Sequence, residues 1–257
     1  MKQHLKKILP PRPYYYLKRK LTKQFDERYL IYNFLNYKNG VMIDVGSMDG
    51  SSFMPFYLKN WDIYAFEPDN DNHDNISSYL TKWNIEDINL YKNAVSDSNE
   101  KKTFYKSTAS TGIPSLLKFN ENQVVSHELN TVILKDIVEE NSIERIDFLK
   151  IDVEGYDLNV LKGFNFKAIR PRVIMCEFED KKTKLLNYKT SDIVQLLKNE
   201  NYFIIYSIWY PITEYGIQHA FKKMSINFED IAEDDWGNII AFSNENDYVE
   251  FKSKHKI

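Results

Sequence analysis

Short apolar runs alternate with longer amphipathic stretches along this chain, and the apolar runs stop at glycine or at acidic residues. Leu30, Ile31, Phe34 and Leu35 recur at helical spacing and predict a helix near Asp26–Tyr37, ended by Lys38-Asn39-Gly40. Val41–Val45 reads as a β run stopped by Gly46, and Asp62–Phe66 as a second, stopped by Glu67-Pro68. A helix is expected over about Asp71–Trp83 and a third strand over Ile88–Val95. Residues 96–125 are polar and turn-rich, an insertion with one or two short strands, followed by a strand at Leu129–Leu134. A short helix around Asp136–Asn141 leads to a buried strand, Asp147–Ile151. Tyr156–Leu161 is read as a helix stopped by Gly163, and Val173–Glu177 as the fifth main strand. Thr190 or Ser191 is placed as the cap of a helix running through Leu197. Tyr202–Trp209 and Asn238–Ser243 complete the strands.

Strands alternating with helices imply an α/β fold, a largely parallel sheet covered on both faces. The last two strands have a polar loop and no clear helix between them, which predicts an antiparallel pair at the end of the sheet. At 257 residues and 43% hydrophobic content, one domain with a full core is expected over residues 26–257. Residues 1–25 carry eight basic side chains and no acidic one, and are read as a solvated, partly helical lead-in whose Pro10, Pro11 and Pro13 break any continuous helix. This lead-in offers peripheral contact with an anionic membrane or a partner. The rest carries 26 basic against 37 acidic residues, which argues against a nucleic-acid surface. No apolar run reaches 18 residues, and the start does not read as a signal peptide. A single cysteine, Cys176, excludes an intramolecular disulfide, so a cytoplasmic location is expected.

The sequence Val41-Met-Ile-Asp-Val-Gly-Ser-Met-Asp-Gly50 runs a strand into a loop with glycines at 46 and 50. Such glycines let a ligand approach backbone N–H groups. Ser47 and Met48 break the GxGxxG dinucleotide pattern, which weakens a nicotinamide reading. Asp44 at the strand end is suited to order the loop or to hold an ammonium group. Glu67 ends the second strand 21 residues after Gly46, where doubly wound folds place an acceptor for ribose hydroxyls. Asn93 and Ala94 end the third strand, where an adenine edge would lie. Lys150, Asp152 and Glu154 alternate with apolar residues at the mouth of a buried strand, a costly arrangement unless the charges are paired or used. Glu177 would sit on the neighbouring strand tip.

These segments, together with Phe66-Glu-Pro68, Asn93-Ala-Val-Ser96, Ile146–Gly163 and Pro171–Phe178, resemble in order and spacing the FkbM family of methyltransferases. The resemblance covers about residues 40–180, and Lys150-Ile-Asp-Val-Glu-Gly155 is its most specific part. It departs at Ser47-Met48, where the family usually has Ala-Asn, so the loop is expected to hold the methionine end of the cofactor slightly differently. The resemblance implies a class I methyltransferase-like doubly wound sheet of seven strands, the last-added one antiparallel, and S-adenosylmethionine as methyl donor. Carried over by position, Asp44, Gly46, Ser47 and Gly50 would lie at the methionine end, Glu67 and Pro68 at the ribose, and Asn93 and Ala94 at the adenine. Asp152 would sit beside the reacting centre. Many members act on sugar hydroxyls, which implies a small-molecule or glycan acceptor, such as a nucleotide-linked sugar or a surface polysaccharide.

A sugar hydroxyl must lose its proton near the transition state. Asp152 and His219 are the candidate bases, with His127 in the insertion as a third. His219 closes an aromatic loop that begins at Trp209 and Tyr210 and includes Glu214 and Tyr215. Asp152 with Glu177 would instead offer oxygens to a divalent ion such as magnesium, a less favoured route. Two other classes stay open: a catalytically inactive cofactor-binding subunit, and a nucleotide-dependent oxidoreductase.

Overall fold

A computed structural model describes residues 9–11, 14, 15, 17, 25–107, 113–214 and 219–257. The first complete helix, α1 (Glu27–Phe34), starts where the Asp26 carboxylate accepts the Arg28 backbone N–H at 3.0 Å. Then follow β1 (Val41–Val45), the short α2 (Met54–Tyr57), β2 (Asp62–Phe66), α3 (Asn70–Lys82) and β3 (Ile88–Tyr91). Asp69 caps α3 by accepting from Asn72 N–H at 3.0 Å.

The expected third strand is split. Ile88–Tyr91 stays in the main sheet, whereas β4 (Ala94–Ser96) leaves it to pair parallel with β6 (Gln123–Ile133). With β5 (Lys101–Ser107) on the other side of β6, these form a second, three-stranded sheet from the predicted insertion. The main sheet resumes after α4 (Leu134–Glu140) with β7 (Phe148–Ile151), α5 (Asp157–Lys162) and β8 (Val173–Glu179). It ends with α6 (Asp180–Thr183), α7 (Thr190–Asn199), β9 (Phe203–Trp209), β10 (Phe221–Ser225), β11 (Trp236–Phe242) and α8 (Glu245–His255).

The main sheet has eight strands in the order β10-β9-β11-β8-β7-β1-β2-β3, one more than expected. β11 is antiparallel and inserted between β8 and β9, and the extra strand β10 adds antiparallel to the free edge of β9. The antiparallel pairing expected of the last two strands is thus present, with an edge strand in the loop between them. α7 begins at Thr190 with Lys189 as its cap residue, so neither Thr190 nor Ser191 caps it. Instead the Thr190 N–H and hydroxyl both donate to Asp180.

The pleat divides the core in two. Ile43, Val45, Leu149, Ile151, Ile174, Cys176, Tyr206 and Ile239 face one layer. Met42, Phe148, Val173, Met175, Ile205 and Ile240 face the layer that contains α1, α2 and α8. Tyr14 and Tyr15 are buried in this second layer, and Tyr14 N–H donates to the Pro10 carbonyl at 3.1 Å. Leu9, Tyr14 and Tyr15 of the basic lead-in are therefore packed on the domain while Leu17 is exposed, and Pro11, Tyr14, Tyr15 and Leu17 are helical. Apolar tyrosine rings within the basic segment explain the difference from a solvated lead-in. Among the described residues no helix is long and apolar enough to cross a membrane.

Candidate functional site

Parallel neighbours bring the carboxyl ends of β1, β2 and β7 together, with Val45 opposite both Phe66 and Ile151. The loop leaving β1 turns sharply. Gly46 N–H and Ser47 N–H both donate to the Phe66 carbonyl at 3.0 Å. Gly46 has φ +83°, and a β-carbon there would stand 1.9 Å from the Asp152 carbonyl oxygen. Only glycine admits that approach.

A cleft opens above these ends. Gly46, Glu67, Pro68, Asn93, Ala94 and Asp152 all line it, with Phe104, Leu116 and Tyr156 among its apolar walls. Phe104 and Leu116 come from the insertion, which thus roofs the cleft; the sequence offered no sign of that role. Asp44, Ser47 and Gly50 do not line it. Ser47 Oγ donates to the Asp44 carbonyl at 3.0 Å, and Gly50 N–H closes the turn on the Ser47 carbonyl at 2.8 Å. Met48, in the left-handed region at φ 52°, presents its N–H to Glu67 Oε2 at 2.6 Å.

Asp44 lies fully buried beneath the loop. Its carboxylate accepts from Ser52 Oγ and is 3.4 Å from Lys150 Nζ. Lys150 also reaches the Gly46 carbonyl at 2.7 Å and Asp152 Oδ2 at 3.4 Å. Burial pushes the Asp44 pKa up, and Lys150 and Ser52 oppose it. For Lys150 burial works downward, but Asp152 and Asp44 prevail and raise it. The alternating charges of β7 are therefore paired: Lys150 ties the β1 loop to Asp152. Of the two roles expected of Asp44, the contacts are those of ordering the loop, and the ammonium group it faces is that of a lysine of the chain.

Glu67 is buried, and it accepts Asp69 N–H at 3.0 Å as well as Met48 N–H. Burial nevertheless lifts its pKa from 4.5 to about 7. Between those values the folded chain holds a proton that the unfolded chain releases. Glu67 therefore costs stability progressively as pH rises from about 4.5 to about 7, and Glu67→Gln should remove that component. Denaturant midpoints of both proteins across that range check this; parallel curves would show that Glu67 titrates ordinarily.

Beyond Asp152 lies a buried charge cluster. Asp152, Glu154 and Glu177 each place a carboxylate oxygen within 4.8 Å of the others, a donor set compatible with a hard cation. The chain supplies a cation of its own there. Buried Lys182 pairs with Glu154, with Glu177 at 3.2 Å and with Glu179 at 2.7 Å. Burial raises Glu177 well above the carboxylate range and Glu154 to about 7, against the pull of Lys182. Lys182 escaped sequence reasoning because Lys181-Lys182-Thr183-Lys184 looks like a solvated surface stretch.

A second cleft shares Asp152 with the first. Phe25, Asp26, Glu27, Arg28, Met175, Trp209, Trp236 and Asn238 complete its wall. His219 lines neither cleft. It is half-buried with its ring against Trp236, centroids 5.2 Å apart, and burial lowers its pKa. Tyr215, also in that loop, lies outside the described residues. His127 sits on β6 beside Phe104, centroids 5.5 Å apart, on the insertion.

Residues 44–204, well over half of the chain, match the Methyltransferase FkbM domain. No curated protein matches the sequence. Solved structures similar to this chain include precorrin-6y C5,15-methyltransferase from Geobacter metallireducens GS-15, 12% identical with a TM-score of 0.45 over 87% of this chain and 90% of that one. A putative methyltransferase from Streptococcus mutans in complex with SAH is 9% identical, with a TM-score of 0.46 over 85% of this chain and 98% of its own. A SAM-dependent O-methyltransferase from Thermotoga maritima is 14% identical, with a TM-score of 0.43 over 88% and 68% respectively. The domain match runs from Asp44 to Ile204 and takes in every residue named above in the wall of the first cleft, and the chain belongs to the FkbM family of S-adenosylmethionine-dependent methyltransferases.

Proposed function

We propose that this methyltransferase acts on oxygen, at a hydroxyl of a sugar that is nucleotide-linked or part of a surface polysaccharide such as capsule or lipopolysaccharide. One observation carries the reading: Asp152 stands in the wall of two clefts at once, the one over β1 and β2 and the aromatic one beside it. The first cleft suits the donor. Glu67 offers a carboxylate to hydroxyl donors, and Ala94, Phe104 and Leu116 give an apolar wall suited to a purine. S-adenosylmethionine supplies an electrophilic methyl group when bound. The protein's part is to align an acceptor oxygen and to take its proton.

We assign the second to Asp152. Its side chain is 40% exposed and is held by Lys150 at 3.4 Å, so it is both reachable and oriented. His219 is the weaker candidate base, because it borders neither cleft. The aromatic walls and polar side chains of the second cleft suit a hydroxyl-rich acceptor better than a nucleic acid. In this reading the protein works in the cytoplasm, in keeping with a chain whose one cysteine, Cys176, is buried and unpaired.

The test is a screen of nucleotide-activated sugars and oligosaccharides with the full chain and S-adenosylmethionine, read by mass. A gain of one methyl group on a sugar is the expected result. Methylation confined to protein side chains or to nucleic acid would overturn the sugar reading.

A further inference from the structure

The second cleft contains a buried carboxylate that the methyl-donor site does not use. Adjacent strands set neighbouring side chains in rows across the sheet face. Glu177, Asn238 and Ser207 are register partners, and one step nearer the edge so are Glu179, Trp236 and Trp209. Over these rows lies the first turn of α1, which brings in Glu27, 5% exposed. Its Oε1 accepts three donors: Ser207 Oγ, Trp209 Nε1 at 2.7 Å and Asn238 Nδ2 at 3.2 Å.

That allocation is lopsided. A carboxylate has about four acceptor positions over two oxygens, and here one oxygen takes every bond. Among the described residues nothing donates to Oε2, although Glu27 lines the cleft. Arg28, the nearest cation in sequence, is engaged by Asp26, with Nε and Nη2 at 2.9 and 2.7 Å from its two oxygens. Oε2 is not sealed in the protein but opens on the cleft, where a bound molecule can donate to it.

The surroundings indicate what would donate. Trp209 gives its N–H to Glu27, and Trp236 gives its own to the Tyr210 carbonyl at 3.0 Å. With both N–H groups spent, the indoles offer the cleft carbon surface, and they lie 5.5 Å apart between centroids. Phe25, stacked on Phe221, adds a third ring. Apolar ring faces beside the Glu27 carboxylate, with Asp152 and the Asp26–Arg28 pair completing the polar wall, match a sugar, with its C–H face and its adjacent hydroxyl donors. They do not match an aliphatic acceptor.

We propose that the second cleft is a glycosyl-binding subsite in which Glu27 Oε2 accepts hydrogen bonds from two adjacent hydroxyls of the acceptor, while Oε1 anchors α1 to β9 and β11. This rests on the reading of the protein as a sugar methyltransferase and adds the residue that selects the acceptor.

The experiment uses the full chain saturated with S-adenosylhomocysteine, titrated calorimetrically with methyl glycosides of common hexoses and 6-deoxyhexoses and with nucleotide sugars. Glu27→Gln keeps an acceptor oxygen for the three anchoring donors and turns the other position into a donor. It should weaken the best glycoside by about 10- to 100-fold, the scale of a hydrogen bond to a charged group, and leave S-adenosylhomocysteine affinity unchanged. On the wild type, deleting one of the two adjacent hydroxyls from that glycoside should cost a similar factor, a measurement that does not depend on the variant folding. Ser207→Ala, which touches only the anchored oxygen, should leave glycoside affinity as it is. A glycoside bound equally by wild type and Glu27→Gln overturns this assignment while the sugar reading stands. Equal loss in Ser207→Ala and Glu27→Gln reduces Glu27 to an anchor. Binding of S-adenosylhomocysteine with no glycoside bound at all overturns both.

Discussion

Replacing Asp152 by asparagine is expected to lower turnover by about 10²–10⁴-fold, the usual contribution of a positioned base, with a much smaller change in cofactor affinity. Asparagine preserves the size of the side chain, so both cleft walls keep their shape. It removes the carboxylate proposed to take the proton and the ion pair with Lys150 at 3.4 Å. A structural role would show instead as lost stability with parallel loss of cofactor binding. Single-turnover rates at saturating donor separate the two. Turnover within tenfold of wild type would take the base role from Asp152, leaving the Lys182-bound carboxylates next to it as the better place to look.

The largest effect on stability is expected at Lys150. Its Nζ is the nearest cation to Asp44, which is fully buried, and it also donates to the Gly46 carbonyl at 2.7 Å. Lys150→Met keeps the volume and strands a buried carboxylate, so it should cost about 3–5 kcal/mol. Adding Asp44→Asn should restore much of that loss, because a neutral pair of similar size leaves no uncompensated charge. Denaturant midpoints of the single and double variants measure the coupling. A loss below about 1 kcal/mol for Lys150→Met, the scale of an exposed pair, would mean that water reaches Asp44.

Where burial followed from apolar runs, the sequence was readable. β1, β2 and β7 appear in it as short runs closed by glycine or acidic residues, and those closing residues stand at the cleft. β10 was missed because Phe221-Lys-Lys-Met-Ser225 reads as a charged loop, and its pairing depends on β9 lying alongside. α8 was missed because, within it, Phe251 alone is buried, so no apolar stripe marks it. The split of the third strand comes from a partner, β6, more than 25 residues away. The sequence leaves Asp44 between ordering the loop and holding an ammonium group, because strand-end position says nothing about side-chain partners; Lys150, over 100 residues on, and Ser52 decide for the loop. Glu27 carried even less signal. An acid in the first turn of a helix is an ordinary complement to the helix dipole, and only three donors from the C-terminal strands make it a buried group.

The position of β11 between β8 and β9 also bears on how the chain reaches this state as it is synthesised. Everything that walls the first cleft precedes residue 160 and can assemble while later residues are still being made. β9 cannot follow in turn: its partners are β11 and β10, so it has no place on the sheet until β11 emerges and fills the gap beside β8. Until then β8 and β9 present unpaired edges, the kind of surface on which chains associate wrongly. The two clefts thus take shape at different times, the one over β1 and β2 first and the aromatic one only when the last strand slots in. Long-range closure of this kind is slow.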